Sequence, residues 1–253
     1  LCFAPCLTSG ILSKLNFMFG SFRFILAVGV VVMHLTTYTA TLGYWAVLSF
    51  YVLSGYLMTF VLRTSYTYNS DGLKRFFLNR LLRIFPPYWI ACLFSATVIS
   101  FVPSLALSMN QGLSWPDSAH EFFLNIAILG HIPPSEVSRL VPPVWTLHVE
   151  LVFYICIALF LTKTDRRIII WLVVSVLGTI VLNMRSPTFN DFVQNCYFST
   201  VAGSLPFSIG AFVFLIRSRL KILETILPRS TLIYIGLTVL LILGLGLLSK
   251  LYD

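Results

Sequence analysis

The sequence predicts an all-α fold, a polytopic membrane helix bundle of about seven to ten transmembrane helices. Hydrophobic residues make up 58% of the 253 residues and charged residues only 10%, whereas a soluble domain carries roughly 25% charged residues. The mean hydropathy of the chain is +0.90. The apolar residues also gather in runs of roughly 20, the length of a helix that crosses the hydrocarbon core of a bilayer. Together these observations exclude a water-soluble fold.

Seven apolar runs are long enough to cross a bilayer as helices. We expect transmembrane helices over residues 22–42, 44–62, 88–107, 144–161, 168–184, 197–216 and 231–248. The third of these begins directly after Pro86 and Pro87, which separate it from a basic stretch. A further apolar patch, residues 122–129, is too short to cross the bilayer upright. We expect this patch to be re-entrant or to belong to a tilted helix.

Basic loops alternate along the chain with loops that carry few positive charges. The basic loops are residues 63–83, 163–167 and 217–229, and the others are residues 108–143 and 185–191. Basic loops of membrane proteins face the cytoplasm, so the alternation predicts that residues 1–21 form a cytoplasmic N-terminal extension. Lys14 and Arg23 agree with this orientation. It also requires that the patch at residues 122–129 does not make a full crossing.

The net charge of +8 is explained by these loops, which orient the helices and contact anionic lipids. Nucleic acid is not expected as a partner, because no long basic run with interleaved aromatic residues lies outside the apolar segments. The five cysteines show neither metal-ligand spacing nor a disulfide pattern; they are Cys2, Cys6, Cys92, Cys156 and Cys196. We therefore expect no metal site.

Two ionisable residues of the first span lie on one helix face. Arg23 and His34 are separated by a rotation of about 1100°, roughly 20° more than three full turns, and by about 16 Å along the axis. Ionisable residues inside a membrane are costly and mark functional sites. A cation at the membrane edge and an imidazole near mid-depth suit an anionic ligand that reaches inward. The alternative is a snorkelling arginine beneath a hydrogen-bonded structural histidine.

Glu150 is a second ionisable residue of an apolar span, near the start of the fourth. A lone carboxylate there needs a partner such as a histidine, an arginine or a polar ligand. The alternative is an interfacial acid favoured by the dipole at the start of a helix. His148 lies two positions away and therefore points to nearly the opposite face. We expect His148 to be structural or interfacial and not to be the partner of Glu150.

Residues 74–83 form a pattern typical of an amphipathic helix on the cytoplasmic surface. Within it, Arg80 and Arg83 are one turn apart and can act together. Paired arginines bind phosphates well, and anchoring to lipid headgroups is the alternative. On the second span, Gly55 is small enough to allow a close helix contact. The neighbouring Ser54 is expected to donate a hydrogen bond across helices or to its own backbone.

Four sequence features occur in the order typical of one family of membrane enzymes. They are Arg23 followed after ten residues by His34, the segment FYVLSG at 50–55, the segment NRLLRIFPPYW at 79–89 and the segment WTLHVELVFY at 145–154. In these features the chain resembles the acyltransferase-3 family, whose members acylate bacterial surface sugars. It departs from the family pattern at His148, Leu151 and Val152, and the expected spans are fewer than the family usually has.

The resemblance implies an enzyme that transfers an acyl group, expected to be acetyl, from acyl-CoA to a carbohydrate hydroxyl. Acyl-CoA (acetyl-CoA) is then the co-substrate, and the acceptor is a surface polysaccharide or a lipid-linked glycan. On this basis we expect His34, Arg23 and Glu150 to be catalytic, and Arg80, Arg83 and Arg23 to bind acyl-CoA. His34 is expected to act as the general base, since the pKa of histidine lies near neutral pH. Membrane lipids are the remaining expected partner.

The resemblance also implies that residues 22–253 form one transmembrane acyltransferase domain. Because the expected spans are fewer than the family usually has, either the last helices are missing or two short helices lie within residues 108–143. We expect a multi-pass protein of the cell's inner (plasma) membrane with a cytoplasmic N-terminus. Two other functions stay open. A transporter or flippase of a glycan or small anionic substrate also holds intramembrane histidine, arginine and glutamate, although no inverted repeat indicates one. The other alternative is an inactive, truncated relative.

Overall fold

The computed structural model of the protein describes residues 21–30, 40–104, 113–129 and 138–219. These residues fall into two compact units. The first unit holds the described residues up to Phe50, and the second holds those from Tyr51 onward. Apart from one isolated bridge between Leu113 and Arg139, the regular structure of the described part is helical.

Eight α-helices occur in the described residues. They are α1 (Ser21–Val30), α2 (Ala40–Val61), α3 (Ser70–Phe101), α4 (Ala119–Ala127), α5 (Val144–Cys156), α6 (Asp165–Met184), α7 (Phe189–Phe192) and α8 (Thr200–Arg219). Short π-helical segments continue three of them. These are Leu62–Tyr66 after α2, Ile157–Leu161 after α5 and Val193–Phe198 after α7.

Five helical stretches of the described part are long and apolar enough to cross a membrane, so the protein is an integral membrane protein. They are Gly43–Tyr66, Ser70–Phe101, Val144–Leu161, Asp165–Met184 and Thr200–Arg219. The all-α prediction and five of the expected spans are thereby confirmed. Of the first expected span the structure describes only the ten-residue helix α1 and the start of α2. The last expected span, residues 231–248, lies outside the described residues.

Helix α3 corrects one expectation. The third span was expected to begin after Pro86 and Pro87, but both prolines lie inside one continuous helix, Ser70–Phe101. A proline removes one backbone hydrogen bond and bends a helix. In a membrane it does not have to end the helix, because neighbouring groups satisfy the freed backbone while irregular chain has no water to bind. The expected amphipathic segment, residues 74–83, is therefore the first part of this helix and is not a separate element.

Helix α4 contains the short apolar patch. Its nine residues are about 14 Å long, so this helix alone does not cross the roughly 30 Å hydrocarbon core. Ser118 caps its start, since the Ser118 Oγ accepts a hydrogen bond from the backbone N–H of Glu121 at 3.1 Å. The chain turns at Ile128, whose φ is 58°. The orientation drawn from the loop charges requires this absence of a full crossing.

Asn125 anchors α4 to its surroundings. Its side chain is buried, and its amide nitrogen donates to the carbonyl oxygens of Glu121 at 3.0 Å and Ser138 at 2.7 Å. Its Oδ1 accepts from the backbone N–H of Leu140 at 3.0 Å. The hydroxyl of Tyr88 on α3 donates to the Asn125 carbonyl at 2.8 Å. All hydrogen-bonding groups of this buried amide are used, which fixes the loop to the bundle.

Helices α2 and α8 touch through their backbones. A Cβ atom placed on Gly55 would lie 2.1 Å from the carbonyl oxygen of Phe207, and one placed on Gly210 would lie 2.0 Å from that of Val52. No residue other than glycine fits such a contact without moving a helix. Small residues allow this approach in membrane proteins. The contact at Gly55 confirms the expected close packing and sets the position of Ser54, the preceding residue.

One end of the second unit is held by charges from the basic loops. Arg63 donates from Nη1 to Asp165 Oδ1 at 2.5 Å and from Nε to the carbonyl oxygen of Thr162 at 2.8 Å. Arg219 forms an ion pair with the other oxygen of Asp165. These contacts join the ends of α2, α5, α6 and α8. Three loops that the charge pattern assigns to one side of the membrane therefore meet at one end of the structure.

Candidate functional site

Glu150 is the centre of a hydrogen-bonded group inside the bundle. Its Oε1 accepts from the Ser54 hydroxyl at 2.6 Å and from the Tyr154 hydroxyl at 2.5 Å. Ser54 is 0% exposed and Tyr154 is 5% exposed, while Glu150 is half-buried. Burial of a carboxylate is costly unless hydrogen bonds compensate it. Bonds to an ionised oxygen are short and strong, as these two are.

The position of each member follows from helix geometry. Glu150 and Tyr154 are four residues apart on α5 and therefore lie on the same face. Ser54 reaches them from α2, whose distance from α8 is set at Gly55. Glu150 lies about 9 Å along α5 from Val144, where the helix begins. It is therefore bonded within the bundle and is not merely an acid at the helix start.

Arg80 on α3 supplies the positive charge of the site. It lies within range of electrostatic interaction with Glu150 and with Arg83. Its guanidinium carbon is 5.6 Å from the ring centroid of Phe76, one helical turn earlier. The Arg80 side chain is half-buried, and its Nε is sealed from solvent without a hydrogen bond among the described residues. The guanidinium charge of this half-buried side chain suits an anionic ligand.

Aromatic rings connect the arginine to the carboxylate. Phe76 is 0% exposed, and its ring meets that of Tyr154 edge to face at a centroid distance of 6.4 Å. Tyr66 meets the same Phe76 ring at 5.7 Å. The Arg80 guanidinium thus lies over a ring that touches the tyrosine bonded to Glu150. Such contacts of a cation with an aromatic face stabilise the charge by about 0.5–2 kcal/mol.

A second set of stacked rings packs between the helices next to Glu150. Phe207 on α8 stacks on Tyr51 at a centroid distance of 5.0 Å and on Phe153 at 4.7 Å. Phe153 also stacks on Trp171 of α6 at 6.1 Å. All four side chains are buried. They form a closely packed apolar cluster that joins α2, α5, α6 and α8.

His148 has the structural role that its position in the sequence indicates. Its Nδ1 is 3.0 Å from the carbonyl oxygen of Ile128, at the turn after α4. The ring therefore fastens that turn to α5 and does not serve Glu150. This outcome confirms that the two side chains point in different directions.

The structure brings together some of the predicted site residues. Arg80 and Glu150 share one site, and Arg83 lies one turn after Arg80 with an exposed side chain. Arg23 lies on α1 in the first unit. His34 lies outside the described residues, so its shared face with Arg23 stays a prediction.

Two members of the site were not assigned by the sequence. Tyr154 was recognised only as part of a motif, although its spacing from Glu150 places both on one helix face. Ser54 was expected to bond across helices or to its own backbone, and the bond to Glu150 is of the first kind. In the ranges that the structure covers, histidine, cysteine, aspartate and glutamate do not gather into a group that could hold a metal ion.

The fold and the site define a polytopic membrane protein with a carboxylate and an arginine within electrostatic range of one another. The family model described as an acyltransferase domain matches residues 20–252, so the chain belongs to the acyltransferase-3 family. Membership confirms the resemblance seen in the sequence and indicates transfer of an acyl group from a donor to an acceptor. No curated protein and no solved structure matches the chain significantly.

Proposed function

We propose that the protein is an acyl-CoA-dependent O-acyltransferase of the inner membrane. It transfers an acetyl group from acetyl-CoA to a carbohydrate hydroxyl of a surface polysaccharide or a lipid-linked glycan. The observation that carries this proposal is the intramembrane site of Arg80 and Glu150 in a chain of the acyltransferase-3 family. A cation and a carboxylate held apart by aromatic rings suit two substrates of different chemistry.

The acyl donor is assigned to the arginines. CoA is anionic, and guanidinium groups bind phosphate oxygens with two parallel hydrogen bonds. The Arg80 side chain is half-buried, and the exposed Arg83 follows one turn later. Arg23 lies in a segment that the loop charges place on the same, cytoplasmic side. The three residues are proposed to hold the phosphates while the long arm carries the thioester inward.

The chemistry is assigned to His34 on the basis of the sequence. The imidazole takes the proton of the acceptor hydroxyl as this oxygen attacks the thioester carbonyl. The carbon–sulfur bond then breaks, the ester forms, and the imidazolium returns the proton to the departing thiolate. The helical spacing predicts that Arg23 lies on the same face about 16 Å away, where it is proposed to hold the donor. Glu150 is proposed to orient the imidazole or the acceptor hydroxyl.

The experiment uses the full chain, purified in lipid nanodiscs, with isotopically labelled acetyl-CoA and surface polysaccharide from the producing cells. His34→Ala should lower label transfer by about 10²–10⁴-fold, the usual contribution of a general base. His120→Ala is the matched control, because His120 is exposed on α4. Both variants should insert equally well. Full activity of His34→Ala would refute the assignment of the base.

The donor assignment has its own test. Replacing Arg80 and Arg83 together with alanine should weaken binding of acetyl-CoA, measured with nanodiscs at equilibrium. Arg167→Ala is the control, because Arg167 is exposed at the start of α6 and its guanidinium donates to the Phe160 carbonyl. If the double variant lost stability while its affinity for acetyl-CoA stayed that of the wild type, the two arginines would be lipid anchors. Substrate flux without consumption of acetyl-CoA would instead identify a transporter.

A further inference from the structure

The two hydroxyls of the site bind the same oxygen of Glu150. Ser54 and Tyr154 both donate to Oε1, at 2.6 and 2.5 Å. The other oxygen, Oε2, accepts no hydrogen bond from the described residues. Oε2 is also not among the side-chain atoms of these residues that lack a hydrogen bond and are sealed from solvent, so it is accessible. Since the bonds on Oε1 fix the plane of the carboxylate, Oε2 is the atom that this site presents to a ligand.

The chemistry of a carboxylate restricts what Oε2 binds. An ionised carboxylate only accepts hydrogen bonds, so its ligand has to offer an O–H or N–H group. The phosphates and the thioester of the acyl donor offer none, and a carboxylate repels phosphate. An acceptor hydroxyl offers the required proton. The amide N–H groups in the arm of CoA are the alternative ligand of Oε2. Separate KM values for the acceptor and for acetyl-CoA distinguish the two ligands.

The charges divide the site into a donor half, which binds the anionic acyl donor, and an acceptor half, which binds the hydroxyl. The positively charged Arg80 suits an anion and lies within electrostatic range of Glu150. Glu150 is the half that suits a hydroxyl. Tyr154 connects them, because its ring meets Phe76 beneath Arg80 while its hydroxyl holds Glu150. The two substrates of an acyl transfer have to meet at such a junction.

We propose that Glu150 Oε2 binds the acceptor hydroxyl and that Ser54 and Tyr154 are positioning residues that aim it. This inference rests on the proposed acyl transfer, since it names the substrate that one half of the site takes. The two hydroxyls act through Glu150 and do not themselves touch the substrate. They stop the carboxylate from rotating. Loss of either one therefore weakens acceptor binding while the donor is bound as before.

The test compares Tyr154→Phe and Ser54→Ala with the control Tyr88→Phe. Tyr88→Phe also removes a hydrogen bond to a buried partner, the carbonyl of Asn125, but not one to Glu150, whose donors are Ser54 and Tyr154. Initial rates are measured in nanodiscs with labelled acetyl-CoA and with surface polysaccharide varied by mass. Each site variant should raise the KM of the polysaccharide by about tenfold, the effect of one bond to a charged group. The KM of acetyl-CoA should change less than twofold. The control should leave both KM values unchanged.

Other outcomes overturn the inference. A rise in the KM of acetyl-CoA alone would place Glu150 in the donor half. Unchanged KM values with a lower melting temperature would make the hydroxyls merely structural. Failure of the proposed function is seen separately, as wild-type protein that transfers no label. In that event equilibrium binding decides: the inference stands only if Tyr154→Phe weakens polysaccharide binding and leaves acetyl-CoA binding as in the wild type.

Discussion

Substitution of Gly55 by alanine tests how the site is built. The added Cβ would lie 2.1 Å from the carbonyl oxygen of Phe207, 2.8 Å from its carbonyl carbon and 2.9 Å from its Cα. These are backbone atoms that no side-chain rotation removes. Helices α2 and α8 would have to separate by about 1 Å or more to restore ordinary contact distances. Overpacking of this kind costs about 1–3 kcal/mol.

The same movement reaches Glu150. Ser54 precedes Gly55, and its bond to Glu150 is 2.6 Å long. A shift of about 1 Å away from the carboxylate is enough to break it, because a pair at roughly 3.6 Å is no longer a hydrogen bond. We therefore expect Gly55→Ala to lower both the melting temperature and the rate of label transfer from acetyl-CoA.

Gly178→Ala on α6 is the matched control. A Cβ at Gly178 would meet nothing within 4 Å, and alanine is a better helix former than glycine by about 1 kcal/mol. This variant should be as stable as the wild type or slightly more so, and equally active. Melting temperatures and transfer rates are measured on both variants in the same nanodiscs. If Gly55→Ala were as stable and as active as Gly178→Ala, the contact between α2 and α8 would not position the site.

Two further predictions concern the parts that hold the bundle together. Asn125→Ala leaves several buried backbone groups without partners and should cost about 2–4 kcal/mol, measured as a lower melting temperature; the exposed Asn79→Ala is its control, and equal stability of the two would contradict the anchor role. Asp165→Asn weakens the ion pairs with Arg63 and Arg219. Its effect should be modest and larger at low salt, because the pairs are partly exposed; a loss of stability independent of salt would contradict this account.

The helices were predictable because their signal lies within the chain. Runs of apolar residues report on the bilayer, whatever their neighbours are, and the structure confirms five of the expected spans. The predicted start of the third span was wrong, because the rule that proline ends a helix describes chains in water. In a membrane the continuous helix Ser70–Phe101 avoids exposed backbone groups near Pro86 and Pro87.

The site was predictable only in part. Glu150 stands out because a charge in an apolar segment is costly wherever it lies. Arg80 stands out because Arg83 follows it by one helical turn. Tyr154 shares a face with Glu150 by helical spacing alone. Helical spacing does not reveal the role of Ser54, since its contact with Glu150 depends on how closely α2 and α8 pack. That distance arises from two glycines and the backbone of the opposite helix, which no local pattern contains.

The most direct test of the account is the rate of acetyl transfer by Glu150→Gln in nanodiscs, with labelled acetyl-CoA and surface polysaccharide. Glutamine keeps the size of the side chain and removes its charge. We predict at least a tenfold lower rate at subsaturating polysaccharide, with unchanged binding of acetyl-CoA. A Glu150→Gln protein that transfers label at the wild-type rate would contradict the claim that this carboxylate serves the reaction.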